Sequence, residues 1–109
     1  QMSVLFKGGT VVNSTGRYQA DVFADGGKIK AIGTDLDNPA DEVVDAGGKY
    51  VLPGAIDPHT HISMPFMGTY AQDNYETGTQ AAACGGVTCV VDFDLQQKGE
   101  TLLEALDRK

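Results

Sequence analysis

No apolar run in this sequence approaches the ~20 residues that a membrane-spanning helix needs. No charged-then-apolar segment resembles a secretory leader. The cytosol is therefore the expected compartment, and Asn13-Ser14-Thr15, which fits the N-glycosylation pattern, reads as a chance match. Positive charge is scarce as well. Eight Lys and Arg face fifteen Asp and Glu, a formal net charge of −7. Without a basic patch to neutralise phosphates, a nucleic-acid partner is excluded, and the acidic excess reads as solvated surface. There are two cysteines, Cys84 and Cys89, too far apart for a CxxC redox or zinc element. Both are expected to be reduced, small and buried. There are also only two histidines, which limits any imidazole-based metal site to that pair.

What the chain does have is glycine, 14 residues of it, and a 41% hydrophobic content that is ordinary for a folded protein. Its 109 residues suffice for one small domain. Gln1 precedes Met2, which places the expected native start at Met2. The first half reads as short strands with turns every 8–12 residues: two β-rich pieces around Gly8-Gly9, turn chemistry at "NSTG", and a hairpin from Tyr18 to Ile32 about Asp25-Gly26-Gly27. A loop "TDLDNPAD" follows, then two short strands around Ala46-Gly47-Gly48. This pattern predicts strands of a small β-sandwich or partly open barrel over residues 1–53.

The pattern changes at Pro53-Gly54. "AIDPHTH" reads as a short strand and "ISMPFMGTYAQ" as a loop. Asp73 or Asn74 caps a predicted helix that runs to Cys84 and ends at Gly85-Gly86, with Gly78 as a weak point inside it. "VTCVVDF" (87–93) reads as a strand covered on both faces. "KGETLLEALDRK" opens a second helix with Leu102, Leu103 and Leu106 on one face, and it reaches Lys109 without a capping signal. Residues 54–109 thus alternate strand and helix, as in a parallel βα series. A closed (β/α)8 barrel typically takes ~250 residues, so the chain reads as the front part of something larger.

The chemistry concentrates in "GAIDPHTHISMPF" (54–66). Side chains alternate along a strand, so Asp57, His59 and His61 share one face. Two imidazoles so placed can converge on one metal, with Asp57 placed to support a ring or the local backbone. Two ordinary strand histidines would give the same spacing. A zinc site takes three or four protein ligands. The others must be carboxylates or thiols of this chain or lie outside it. Asp92 and Asp94, after the next strand, are the nearby carboxylates, and both suit loop and helix-start hydrogen bonding.

"VLPGAIDPHTHISMPFMGTYAQDNYETGTQAAACGGVTCVVDF" resembles the dihydropyrimidinase/hydantoinase branch of the amidohydrolase superfamily. The HxH alone is common among amidohydrolases; the combination of "IDPHTH", "MPFMGT" and "GGVT" with "VDF" is more specific. The resemblance implies a mixed β and α/β fold: N-terminal strands of a small β-sandwich, then the first two βα units of a TIM-like barrel, incomplete in this chain. It implies a full-length enzyme that opens dihydropyrimidine or hydantoin rings to N-carbamoyl amino acids through a zinc-bound hydroxide, with this segment alone inactive. It also implies two zinc ions, the more buried one held by His59 and His61, bridged by a carboxylated lysine outside this chain. Neither Lys98 nor Lys109 falls in the family's lysine motif, and no catalytic residue is assigned within the chain.

"ISMPF" resembles a gating loop in which Met64 and Phe66 contact the substrate's exocyclic group, although inward packing suits both side chains equally. Ser63 and Met67 stand where hydantoinases often have aspartate and glycine, which leaves the breadth of substrates open. The expected partners are a small cyclic amide and further copies of the chain, as a homotetramer. Dihydroorotases and allantoinases usually follow HxH with a different run, and Ile62-Ser63-Met64-Pro65 departs from it. A non-catalytic scaffold of the collapsin response mediator type is the alternative of another class. Both retained histidines weigh against it.

Overall fold

The computed structural model describes residues 2–108, and the chain divides into two compact units at Pro53/Gly54. The readings that fall on residues 1 and 109, a native start after Gln1 and an uncapped helix end at Lys109, lie outside the described residues.

The first unit is one five-stranded sheet. Its strands are β1 (Val4–Asn13), β2 (Gly16–Asp25), β3 (Lys28–Gly33), β4 (Glu42–Asp45) and β5 (Tyr50–Val51). The order is β3-β2-β1-β4, and β5 also pairs with β1. β1, β2 and β3 are antiparallel neighbours, whereas β4 and β5 run parallel to β1. Asn13 builds the first turn, its side-chain oxygen accepting from the Thr15 amide at 3.0 Å. Val11, Ala20 and Val22 form the core, with Phe6 and Val51 packed against it. The second layer that a sandwich requires is not among the described residues.

The expected two pieces around Gly8-Gly9 are one strand with a bulge. The β1–β2 register shifts between Phe6 and Gly9, and Gly8 takes a φ of 72°. Asp21 secures that bulge. It is 5% exposed and accepts from the Gly8 amide at 2.7 Å and the Leu36 amide at 3.0 Å, with Lys7 Nζ at 3.3 Å. The Gly8 hydrogen bond, helped by Leu36 and Lys7, holds the carboxyl below its ordinary range although burial opposes this. Its stabilising contribution is therefore complete above the unfolded-state value and is lost as pH falls through the lowered folded value. Asp21→Asn is expected to lower the urea midpoint at pH 6, with the gap to wild type narrowing below about pH 4. A gap that stayed constant from pH 6 to pH 3 would locate the effect in shape rather than charge.

The second unit begins with β6 (Ala55–Thr60) and continues through β7 (Pro65–Phe66), β8 (Thr69–Tyr70), α1 (Tyr75–Cys84), β9 (Val87–Asp92) and α2 (Leu102–Arg108). β6 and β9 are parallel, with α1 between them in sequence. That is a strand-helix-strand unit followed by a helix; a closed barrel is not formed among the described residues. Gly54 is required at the entry to β6, because a Cβ there would collide with the Thr88 side chain. Asn74 caps α1 reciprocally with Thr77: Oδ1 accepts from the Thr77 amide at 2.9 Å, and the Asn74 amide donates to Thr77 Oγ1 at 3.2 Å. Gly78 costs helix propensity but admits Ile62, whose carbons lie 3.4 Å from where a Cβ would stand.

Four expectations change here. The supposed loop after the histidines contains the β7–β8 hairpin, turned by Met67 and Gly68 at φ of 49° and 80°. β9 is not covered on both faces, since Thr88, Cys89 and Val91 are exposed. Cys84 and Cys89 are exposed free thiols rather than buried ones. In α2 the buried residue is Ala105, while Leu102, Leu103 and Leu106 are exposed. The last three share one cause: two parallel strands and two helices present more apolar surface than they cover for each other.

Candidate metal centre

β6 carries His59, and His61 follows one residue beyond its end. The β6–β9 ladder pairs Asp57 with Val90 and Thr60 with Asp92, so Pro58 and His59 include one residue without a counterpart. Pro58 has no N–H to give the ladder, which suits an interruption there. Asp57 Oδ1 accepts from the His59 amide at 3.1 Å. Its contact is thus to local backbone and not to a ring.

The two imidazoles converge. His59 Nε2 lies 3.1 Å from His61 Nε2. Two nitrogens bound to one tetrahedral zinc at ~2.0–2.1 Å stand about 3.3 Å apart, so the pair fits one shared ion as it stands. The same separation suits an N–H···N hydrogen bond between neutral rings. His61 Nδ1 contacts Met64 Sδ at 3.3 Å, leaving Nε2 to face His59. The Phe93 ring stacks on His59 with centroids 4.8 Å apart and planes 13° apart, and it is tilted against His61 at 5.5 Å. Imidazole nitrogens at this spacing match the donor type and separation that zinc takes.

No third donor joins them. Among the described residues no group of three or more His, Cys, Asp and Glu is placed to hold a metal. Asp92 is committed elsewhere: Oδ1 accepts from Thr60 Oγ1 at 3.1 Å and from the amides of Ile62 and Phe93 at 3.0 Å each, and Oδ2 accepts from the Tyr75 hydroxyl at 2.8 Å. Asp94 faces Arg108 at 3.9 Å. Arg108 is held mainly by Glu100 at 2.9 Å, which keeps the guanidinium charged and lowers the Glu100 carboxyl.

Met64 and Phe66 meet His61 at a cleft also lined by Thr69, Tyr70, Ala71 and Leu95. Phe66 is half exposed there. Two backbone bonds pin the segment, from the Ser63 amide to Asp73 O and from the Ala71 amide to Met64 O, each 2.8 Å. Ser63 and Met67 both adopt positive φ without being glycine, at 54° and 49°. That conformation costs a β-carbon residue energy and explains why glycine suits position 67. Sequence reasoning assigns no role to Phe93 or Tyr75. The available signal is positional: Phe93 directly follows a strand parallel to the histidine strand, so the two strand ends lie side by side.

Residues 50–109 match the amidohydrolase family model. The chain is 52% identical over 106 residues to the D-hydantoinase of Geobacillus stearothermophilus, covering 97% of this chain and 22% of that protein. It is 49% identical over 108 residues to dihydropyrimidinase 2 of Caenorhabditis briggsae, covering 98% and 21%. The crystal structure of the dihydropyrimidinase from Brevibacillus agri superposes with a TM-score of 0.91 at 54% identity, over 98% of this chain and 23% of that one. The chain therefore spans a little over a fifth of the length of these relatives. A family match over residues 50–109, more than half of the chain, places it in the amidohydrolase family, where it is similar to hydantoinases and dihydropyrimidinases.

Proposed function

We propose that the full-length protein carrying this chain is a zinc-dependent cyclic amide hydrolase, opening dihydropyrimidine or hydantoin rings to N-carbamoyl amino acids. Water adds to a ring carbonyl carbon, the ring C–N bond breaks, and the freed nitrogen takes up a proton. The observation that carries this reading is the 3.1 Å approach of His59 Nε2 and His61 Nε2 beside an apolar cleft. The family points to a metal cofactor, and zinc, when bound, supplies Lewis acidity and a water ionised near neutral pH. His59 and His61 give it two neutral donors. Phe93 and Met64 orient those rings, and Met64 and Phe66 offer apolar contact to the ring substituent. The remaining donors, among them the carboxylated lysine that the resemblance implies, would come from parts of the protein beyond these residues. A cytoplasmic homotetramer completes the reading; the tetramer rests on the family resemblance and the compartment on the sequence expectation. The described residues contain no helix long and apolar enough to cross a membrane.

The test is a side-by-side assay of dihydrouracil, hydantoin, dihydroorotate and allantoin with zinc supplied. The cleft is lined chiefly by apolar side chains, which suits an uncharged ring substituent, and kcat/KM for dihydrouracil or hydantoin is expected to exceed that for dihydroorotate by roughly 100-fold or more. Preference for dihydroorotate or allantoin would overturn the substrate assignment.

A further inference from the structure

Asp92 sits where three elements of the second unit meet. It ends β9, its Oδ1 holds the chain on both sides of His61 through Thr60 Oγ1 and the Ile62 amide, and its Oδ2 holds Tyr75, the first residue of α1. The neighbouring Phe93 amide donates both to Asp92 Oδ1 at 3.0 Å and to Thr60 O at 2.9 Å, which locks the ring that stacks on His59. Ile62, 8% exposed, packs against Gly78 of α1. His61 itself lies beyond the last residue of β6 and has no ladder to fix it. Its position is set by what holds Thr60 and Ile62.

We propose that Asp92 is a positioning residue for the metal-binding pair, a carboxylate that fixes the backbone on both sides of His61 and beside the Phe93 ring so that both imidazoles face one point. Resting on the metal-ligand reading given above, this assigns Asp92 the task of pre-ordering the donors before metal arrives. The hydrogen bonds it accepts from Thr60, Ile62, Phe93 and Tyr75 come from groups beside the pair or from the helix that follows them. A carboxylate suits the task because it accepts several hydrogen bonds and donates none. Asparagine keeps one accepting oxygen and loses the other.

In the full-length protein, Asp92→Ala is expected to weaken zinc binding by roughly 10–100-fold, read by competition with a chelator, as for other residues that hold a ligand in place. kcat should fall with KM little changed, and the spectrum of the cobalt-substituted protein should broaden. Asp92→Asn should recover part of the affinity, and Tyr75→Phe should cost less than Asp92→Ala. A metal-free readout separates this proposal from the one it rests on. Imidazole 1H–15N spectra of the apo protein should show each ring in one fixed state, with averaging at His61 in Asp92→Ala. A folded Asp92→Ala protein with wild-type zinc affinity and unchanged ring spectra would overturn the proposal. If that variant does not fold, Tyr75→Phe and Thr60→Val carry the test, and wild-type affinity in both overturns it. Averaged rings in a protein whose wild type binds no zinc would instead overturn the metal reading and leave Asp92 as the residue that orders the pair.

Discussion

Replacing His59 or His61 by alanine in the full-length protein is expected to lower turnover by more than the roughly 10–100-fold typical of losing a partner behind a ligand. Metal content should drop in parallel. A catalytic zinc usually has three protein ligands, so the loss of one imidazole leaves too few donors to hold the ion at working concentrations. The two substitutions should be far from additive, because the 3.1 Å Nε2 separation makes the pair one binding unit. Metal analysis and kinetics on both single variants and the double variant are the check. Full metal occupancy with near-native turnover in either single variant would reduce the histidines to ordinary strand residues. A wild-type protein that holds no metal and turns over no cyclic amide would favour the scaffold reading.

A species made of residues 1–109 alone is expected to show no hydrolase turnover and weak zinc binding. The described residues bring two imidazoles together and no third donor, and two donors fall short of a catalytic zinc site. Such a species should also self-associate. Ile56, Leu102 and Leu103 are each more than 60% exposed, and Val91 is more than half exposed. β6 and β9 pair only with each other among the described residues, which leaves sheet edges open to other chains. Zinc affinity, dihydrouracil hydrolysis and sedimentation of the purified 109-residue species test this. A soluble monomer with measurable turnover would show that the segment holds more of the site than two histidines.

Local signals along the chain read well because their physics is local. The Asn74 cap, the Gly85-Gly86 stop and the Gly26-Gly27 turn each act within a few residues, and the structure has α1 end and β2–β3 turn there. Patterns that depend on a partner surface read less well. The spacing of Leu102, Leu103 and Leu106 marks an apolar face, yet the residue these elements bury is Ala105. Val87 to Phe93 looks like a strand covered on both sides, but covering it takes layers that this chain does not itself supply.

The histidine pair shows both sides of this divide. A two-residue spacing on an extended segment is enough to put two imidazoles on one side, and it made His59 and His61 candidates before any fold was known. It says nothing of the residue without a counterpart at Pro58–His59, of Met64 Sδ against His61 Nδ1, or of the Phe93 ring stacked on His59. The Phe93 ring reaches His59 through a strand-end alignment, and the carboxylate of Asp92 ties together Thr60, Ile62 and Tyr75, residues 17 to 32 positions from it. Their geometry follows from the register of β6 against β9 and the packing of Ile62 on α1. A spacing rule acts through backbone geometry over a few residues, whereas the meeting of distant side chains depends on how whole elements align.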